Sequence, residues 1–217
     1  MLPLTFAEAD RPLRLLCLGA HPDDIEIGCG GSILRLAAEH PQMSVRWLVF
    51  SGNEHRRREA EAAARYFLAG VADAAIDVLG FRDGFFPAQH AEIKDSFERL
   101  KRDYQPSLVL THYRDDLHQD HRLIAELTYN TFRDHLVWEY EVPKYDGDLG
   151  NPNLFLPLTK EQCRRKVTGL MEHFPSQSTR ASWFTEETFF ALLRLRGIGC
   201  NAPEGYAEAF YCRKAVV

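Results

Sequence analysis

The chain has 217 residues, of which 45% are hydrophobic and 26% are charged, and this balance excludes a largely disordered protein. Its formal net charge of −5 argues against a nucleic-acid partner, because such proteins usually carry a basic excess. The five cysteines are scattered and form no C-x-x-C pair, so we expect reduced thiols and a cytoplasmic protein rather than a disulfide framework or a zinc knuckle.

The segment Met1–Pro12 has no basic region followed by an apolar stretch, so we expect no secretory signal peptide there. No apolar run approaches the roughly 18 residues of a transmembrane helix, and we expect no membrane span. The length corresponds to one domain of ordinary size, and no internal repeat or linker interrupts it. We therefore predict a single domain over residues 1–217, with a loop elaboration at about 138–158.

Strands alternate with helices along the first two thirds of the chain. Short, nearly continuous apolar runs predict buried strands at Leu13–Ala20, Val45–Phe50, Ile76–Phe81 and Ser107–Thr111. Helical spacing is found at Ser32–His40, Glu54–Leu68, Ala91–Asp103 and Asp120–Arg133. This order predicts an α/β, Rossmann-like fold with a mostly parallel sheet and helices on both faces. In such a fold, the functional site lies at the C-terminal edge of the strands.

The regular alternation stops in the last third of the chain. Residues 142–158 are rich in proline, glycine and aromatic residues, which predicts a long loop with a functional role. Helices are predicted at Thr159–His173 and Glu186–Arg196, and a final strand at Ala207–Ala215.

A first polar cluster follows the first predicted strand. His21 and Asp24 are three residues apart across a turn that begins at Pro22, and they supply two of the three protein ligands of a catalytic zinc site. The neighbouring Asp23 could accept a proton from a metal-bound water. Two other interpretations are open. His21 and Asp24 could cap the next helix, or the glycines at 28–31 could hold a nucleotide phosphate, although the acidic cluster would repel one.

A second polar cluster follows the fourth predicted strand and contains His112, His118 and His121 among several aspartates. It lies at the equivalent edge of another strand, so the two clusters can converge on one metal site. Either His118 or His121 could complete the three ligands and leave a position for water. The other histidine, oriented by an aspartate, could act as an acid or stabilise an oxyanion.

These motifs resemble the PIG-L/LmbE family of zinc-dependent N-deacetylases, which act on N-acetylglucosamine-type sugars. The resemblance rests on His-Pro-Asp-Asp at 21–24 and His-x-Asp-His at 118–121. It extends to segments 56–61, 79–84, 173–177 and 204–210, and so covers most of the chain. One position departs from the pattern, because the family usually has proline where this chain has Gln119.

The resemblance implies a role for each matching residue. His21, Asp24 and His121 would bind the metal, which would be Zn²⁺ or, in the cell, Fe²⁺. Asp23 would be the general base. His118 would stabilise the oxyanion or protonate the leaving amine, with Asp120 orienting it. Because His118 would act best as a cation, we expect a raised pKa from nearby aspartates, Asp116 and Asp120.

Three further residues are candidates for substrate binding. Arg56 could hold the acetate product or a substrate oxygen, and it could equally be a solvated residue at a helix start. Asp83 could bind a sugar hydroxyl or simply form a turn before Gly84. Tyr140, like Tyr145 and Trp138, could stack on a sugar ring, although such aromatic residues more often anchor loops. We expect Ser176 and Gln177 to fix a loop rather than bind substrate.

The expected function is hydrolysis of an N-acetyl, or related N-acyl, group on an amino sugar or glycoconjugate, so the partner is a small N-acetylated molecule. Whether the protein forms a homo-oligomer is left open. Two alternatives remain. One is a metal-dependent amidase or phosphoesterase that acts on another small molecule. The other is a non-catalytic sugar-binding module with the same fold.

Overall fold

The structure is a computed structural model that describes residues 12–216. The expectation about a signal peptide rests on Met1–Pro12, of which residues 1–11 lie outside the described residues. The single domain over 1–217 stays a prediction. Within residues 12–216, no helix combines the length and the apolar character needed to cross a membrane.

A seven-stranded sheet forms the centre of the molecule, with the strand order β3-β2-β1-β4-β5-β7-β6. The strands are β1 (Arg14–Gly19), β2 (Ser44–Ser51), β3 (Asp73–Phe81), β4 (Leu108–His112), β5 (Leu136–Tyr140), β6 (Leu154–Leu158) and β7 (Tyr206–Cys212). Strands β1 to β5 pair in parallel, whereas β7 runs antiparallel to both β5 and β6. The predicted Rossmann-like, mostly parallel sheet is confirmed.

Helices cover both faces of this sheet. They are α1 (Asp24–Glu39), α2 (Glu54–Phe67), α3 (His90–Asp103), α4 (Gln119–Thr131), α5 (Lys160–His173), α6 (Pro175–Ser178) and α7 (Glu186–Cys200). In β1, Leu15 and Cys17 face the apolar layer that includes α1, α2 and α5, whereas Leu16 and Leu18 face the layer that includes α3 and α4. Burial on both faces explains why the strand is a continuous apolar run.

The glycine-rich segment lies inside α1, which begins at Asp24 and not at Ser32 as the helical spacing predicted. A Cβ atom on Gly28 would lie 2.0 Å from the ring of Tyr140, and one on Gly30 would lie 2.7 Å from the ring of Phe67. These glycines therefore allow α1 to pack closely against its neighbours. They are buried, which leaves no room for a nucleotide phosphate.

A buried ion pair contacts the middle of α1. The backbone N–H groups of Gly31 and Ser32 donate to the two carboxylate oxygens of Glu208, at 2.9 and 2.6 Å. The ammonium of Lys166 lies 2.5 Å from Glu208 Oε1 and also donates to the carbonyl oxygen of Ile27. Both charged side chains are buried, and each satisfies the other while fixing the backbone of α1.

The irregular segment after β5 is shorter than the predicted elaboration at 138–158. Residues up to Tyr140 belong to β5, and residues 154–158 form β6, so the loop spans 141–153. Arg196 on α7 holds the loop through two contacts of 2.7 and 2.8 Å with the carboxylate of Glu141, and donates to the carbonyl oxygen of Gly150. The parallel arrangement brings this loop and the loops that follow β1 to β4 to the same edge of the sheet.

Candidate metal centre

Three residues with potential ligand atoms meet at this edge. His21 Nδ1 lies 3.1 Å from His121 Nε2. The carboxylate of Asp24 lies 3.5 Å from His21 Nδ1 and 3.4 Å from His121 Nε2, through different oxygens. A tetrahedral zinc ion with bonds of about 2.0–2.2 Å would separate its ligand atoms by about 3.3–3.5 Å. The two histidine nitrogens lie slightly closer than this, and Asp24 approaches each of them with a different oxygen, so small side-chain shifts would bring the three residues to the ligand spacing of one divalent ion.

The turns that follow β1 and β4 position these three residues. Asp24 begins α1, and the backbone N–H of His21 donates to Asp24 Oδ2 at 2.6 Å, which closes the turn after β1. His121 lies in the first turn of α4, which follows β4. Since β1 and β4 are neighbours in the sheet, the two turns face each other.

The electrostatics of the cluster favour positive charge. Although burial opposes it, Asp120 and Asp24 raise the pKa of His21 well above its ordinary value, and Asp24 and Asp116 raise that of His121. In return, His121 holds the pKa of Asp24 well below its ordinary value, again against the effect of burial. Two imidazoles and an ionised carboxylate that face one another fit a divalent cation such as Zn²⁺.

The described residues contain further potential metal ligands around His21 and His121. They form three overlapping groups whose ligand atoms lie within 4.8 Å of one another, namely His21/His118/His121, Asp24/His112/His121 and His21/Asp83/Asp120. His21, Asp24 and His121 each belong to at least one of these groups but do not form one of them together, and Asp23 belongs to none. The roles of these four residues stay predictions.

A carboxylate orients the ring of His121. Asp116 Oδ2 lies 2.9 Å from His121 Nδ1, and Asp116 Oδ1 accepts the backbone N–H of His118 at 2.7 Å. The ammonium of Lys144, from the 141–153 loop, contacts Asp116 at 2.9 Å and Asp148 at 2.5 Å. A carboxylate behind a histidine ligand fixes the ring and makes it more basic. The sequence interpretation placed Asp116 near His118, and its contact with His121 was missed.

The predicted partner of Asp120 needs a correction. Its carboxylate does not orient His118, because Oδ2 lies 3.1 Å from His21 Nε2. The backbone N–H groups of Gly84 and Phe86 donate to the two oxygens of Asp120, at 2.7 and 3.0 Å. Asp120 is fully buried and therefore holds His21 in the way that Asp116 holds His121.

His118 caps α4 at the edge of the cluster. Its Nδ1 accepts the backbone N–H of Asp120 at 3.2 Å, so the neutral ring carries its proton on Nε2. The ring centre lies 4.8 Å from that of His21 and 4.6 Å from that of His121. Burial, together with His121 and His21, lowers the pKa of His118, which corrects the expectation of a raised pKa. His118 is placed as a neutral hydrogen-bond donor.

Asp23 has a strained backbone and a perturbed carboxyl group. Its φ of 102° lies in the left-handed region that non-glycine residues rarely adopt. Burial raises the pKa of Asp23 to about 7, even though Arg56 opposes the shift. A carboxyl group that titrates near neutral pH is well suited to accept and return a proton.

Arg56 is held by protein groups on both terminal nitrogens. Nη2 donates to Asp23 Oδ2 at 3.1 Å and to the carbonyl oxygen of Pro22. Nη1 donates to Glu59 and to Ser176 Oγ, both at 3.0 Å. Ser176 also donates to Glu59 from its backbone N–H and its hydroxyl group, which confirms its predicted structural role. Contact of Arg56 with substrate stays a prediction, whereas its contact with Asp23 is present.

The structure places Tyr140 in the core, so its predicted role in substrate binding is corrected. Its side chain is fully buried, and its hydroxyl group donates to the carbonyl oxygen of Leu18 at 2.6 Å. Trp138 is also buried in β5. Tyr145, by contrast, is 73% exposed. Asp83 Oδ1 lies 3.1 Å from His21 Nε2, and the side chain is 76% exposed, so sugar binding by Asp83 stays a prediction.

The sequence interpretation gave His112 no role. Its ring is fully buried and stacks on the ring of His121, with the ring centres 4.0 Å apart. Its Nε2 accepts the backbone N–H of Ala20 at 2.9 Å, and burial and the neighbouring His121 lower its pKa to about 4. A neutral His112 therefore packs behind the ligands. A histidine at the last position of a buried strand was the available signal.

A cavity of about 640 Å³ opens onto the cluster. The metal-site residues form one wall, and the 141–153 loop together with Gln177 and Trp183 lines another. This volume is typical of small-molecule sites.

The chain is similar in sequence to known proteins. Residues 16–132 match the family profile of PIG-L, described as GlcNAc-PI de-N-acetylase. This range is more than half of the chain and contains both polar clusters. The chain is also 26% identical over 179 residues to the uncharacterized deacetylase YaiS of Escherichia coli K12, covering 77% of this chain and 94% of YaiS.

Two solved structures share the fold. The N,N'-diacetylchitobiose deacetylase of Pyrococcus horikoshii has a TM-score of 0.67 and 21% identity, with 92% of this chain and 83% of that chain covered. GalB, the 4-carboxy-2-hydroxymuconate hydratase of Pseudomonas putida KT2440, has a TM-score of 0.72 and 18% identity, with 94% and 98% covered. One is a deacetylase and the other a hydratase, so the fold alone does not determine the reaction.

Proposed function

The chain belongs to the PIG-L family of de-N-acetylases, and on this premise we propose that it is a metal-dependent hydrolase that removes an N-acetyl, or related N-acyl, group from an amino sugar or glycoconjugate. We propose Zn²⁺ as the cofactor, with Fe²⁺ as an alternative in the cell. The observation that supports the proposal is the close approach of His21, Asp24 and His121 to one another, with the carboxylate of the adjacent Asp23 held by Arg56.

His21, Asp24 and His121 would hold the ion, which when bound supplies a Lewis acid and acidifies water. Asp23 accepts the proton of the attacking water. Because Arg56 already donates to Asp23 Oδ2, the proton goes to Oδ1. The same carboxyl group, with its pKa of about 7, then returns the proton to the leaving amine.

His118 would stabilise the charge that develops on the substrate carbonyl oxygen. Its Nδ1 is occupied by the backbone N–H of Asp120, so the Nε2 proton is the one available to the substrate. A fixed neutral donor of this kind needs no rearrangement as the oxyanion forms. We propose that Asp120 contributes by orienting His21, and Asp116 by orienting His121.

The cavity provides candidates for recognition of a sugar. Asp83 and Tyr145 line it, and both side chains are largely exposed. A carboxylate and a phenol at an open cavity wall are suited to sugar hydroxyl groups and a ring face. We propose that the N-acetyl group points towards Asp23 and that the rest of the sugar extends towards the 141–153 loop.

Release of acetate from a panel of compounds tests this function. Metal-loaded protein would be incubated with N-acetylglucosamine, with its glycosides and with N-acetyl amino acids, and the products identified by mass spectrometry. We expect free amine and acetate from an amino sugar, and about 10²–10⁴-fold less of both with Asp23→Asn at equal metal content. Equal turnover of N-acetyl amino acids would support a general amidase instead. Full metal loading without turnover of any amino sugar would contradict the proposal.

A further inference from the structure

The two ring nitrogens of His21 face different groups. One nitrogen faces a carboxylate and an imidazole, and the other faces two carboxylates. Nδ1 faces Asp24 and His121, which form the metal centre described above. Nε2 faces Asp83 Oδ1 and Asp120 Oδ2, each at 3.1 Å. Asp83 and Asp120 are therefore potential metal ligands that the first centre does not bind directly, although Asp120 orients His21 for it.

We propose that His21 Nε2, Asp83 and Asp120 form a second divalent-cation site of lower affinity, and that an ion bound there inhibits the enzyme. The inhibitory part rests on the proposed function. One nitrogen and two carboxylate oxygens are a usual donor set for Zn²⁺. The distances of 3.1 Å from Nε2 to each oxygen are slightly shorter than the ligand spacing of a tetrahedral ion, so a small outward shift of the side chains would admit one.

The two carboxylates differ in a way that would allow an ion to enter. Asp120 is fully buried and is held by the backbone N–H groups of Gly84 and Phe86, so it forms a fixed base for the site. Asp83 is 76% exposed and lines the cavity, so it can close on an ion that arrives from solvent. The ion replaces the proton on His21 Nε2, and that proton is released to water.

Three effects make the second site weaker than the first. Binding must order the exposed Asp83 side chain, which costs conformational entropy. It must also displace the proton on His21 Nε2. In addition, the ion already bound to Nδ1 repels the second ion electrostatically. We therefore expect the second ion to bind only when the metal is in excess.

The geometry argues against a catalytic role for the second ion. In two-metal hydrolases the ions lie about 3.5–4 Å apart and share the reacting oxygens. Here the two donor sets lie on opposite sides of one imidazole ring, so a single substrate oxygen cannot contact both ions. A second ion would instead occupy the cavity and engage Asp83, a residue that we propose for sugar binding. This arrangement also argues against the two-metal phosphoesterase alternative.

The number of bound ions tests the site without any measurement of activity. Metal-free protein would be titrated with Zn²⁺ by equilibrium dialysis. For the wild type we expect one tightly bound ion and a second, weaker one. Asp83→Asn should keep the first ion, because Asp120 still orients His21, and should weaken the second by about tenfold or more. Asp146→Asn is the matched control, since it removes another acidic group that lines the cavity. It should bind both ions as the wild type does.

Two results of this titration would overturn the second site. One is a wild type that binds a single ion even in large excess of metal. The other is a second ion that Asp83→Asn binds as tightly as the wild type.

Inhibition is measured separately. For each protein, turnover at excess Zn²⁺ is divided by its own turnover with one equivalent. We expect the wild type and Asp146→Asn to be inhibited, and Asp83→Asn to resist. Equal inhibition of all three would contradict the inhibitory role. If no amino sugar is hydrolysed, the proposed function fails, and the titration still decides whether the second site exists.

Discussion

Charged and titratable groups are buried at two places along α1, and the two clusters are built in opposite ways. In the middle of the helix, Lys166 and Glu208 lie 2.5 Å apart and satisfy each other and the backbone. At the beginning of the helix, the two imidazoles of His21 and His121 face each other at 3.1 Å, beside Asp24. The first cluster pairs a cation with an anion, whereas the second brings together two imidazoles and a carboxylate, a donor set that can also bind a cation.

The cationic side chains near the metal centre are paired with carboxylates outside the proposed ligand set. Arg56 is paired with Asp23, and Lys144 is paired with Asp116, so both stand behind the metal centre rather than in it. A protein that needed only stability could have placed one of these charges between the imidazoles and the carboxylate. We infer that the cluster in the middle of α1 stabilises the fold and that the cluster at its beginning is kept for a ligand.

The largest effect is expected when a ligand is removed. His121→Ala should lose the metal and reduce turnover to the detection limit, because Asp24 and His21 alone are too few ligands to hold the ion tightly. The fold should persist, since the sheet does not depend on the ion. Metal analysis and circular dichroism of the purified variant check both points. Full metal occupancy in His121→Ala would show that the third ligand is misassigned.

A smaller loss is expected when the base is removed and the ligands are kept. Asp23→Asn should retain the metal and lower turnover by about 10²–10⁴-fold, the usual range for loss of a general base. Asparagine tolerates the left-handed backbone of this position, so the local geometry should survive. Metal content and kcat would be compared with those of Asp24→Ala. If Asp23→Asn lost metal as readily as that variant, the two adjacent aspartates could not have separate roles.

Breaking the ion pair in the middle of α1 should affect stability and leave the site intact. Lys166→Met leaves the buried carboxylate of Glu208 without its partner, and this should lower the free energy of unfolding by about 3–5 kcal/mol. Metal content and turnover per folded molecule should stay close to those of the wild type. Denaturant unfolding measures the change.

The control for this variant is Arg58→Met, which removes a cation from an exposed pair with Glu54 and should change stability little. A second variant, Lys166→Met combined with Glu208→Gln, should recover part of the lost stability because no lone charge remains. If Lys166→Met were as stable as the control, the contrast between the two clusters would be wrong.

The smallest effect is expected when a residue that orients a metal ligand, without binding the metal itself, is changed. Asp116→Asn should weaken metal binding by about 10–100-fold, because His121 loses the carboxylate that orients it. Competition with a chelator measures the affinity. The adjacent Asp115→Asn is the matched control, since Asp115 is exposed and pairs with Arg213 rather than with a residue of the metal centre. Equal affinities for the two variants would show that the contact with Asp116 does not matter.

The fold could be predicted largely because the buried parallel strands read as continuous apolar runs. The errors occurred where tertiary contacts outweigh local preference. Glycines at 28–31 disfavour a helix, yet α1 continues through them because only glycine permits its close approach to Tyr140. Strand β6 was hidden by Pro157, which is tolerated because β6 pairs only with β7, at the edge of the sheet.

The site could be predicted to the level of its two motifs, because parallel strands bring their ends together. The partners of individual side chains could not. Asp120 is two residues from His118 and 99 from His21, and only the folded structure shows that its carboxylate faces His21. Tyr140 ends a buried strand beside the site, and a single sequence cannot show whether such an aromatic ring faces the core or the substrate.

The strained backbone of Asp23 has a consequence for the evolution of this protein. A non-glycine residue at φ 102° costs on the order of 1–3 kcal/mol, and glycine would relieve much of it. Asp23→Gly would also remove the ion pair with Arg56, so a laboratory selection for thermal stability alone should enrich glycine only if the relieved strain exceeds the lost pairing, and a selected protein would lack the proposed base. Natural populations that retain aspartate at this position would do so because catalysis is selected together with stability, and the strain at Asp23 measures how much stability that selection gives up.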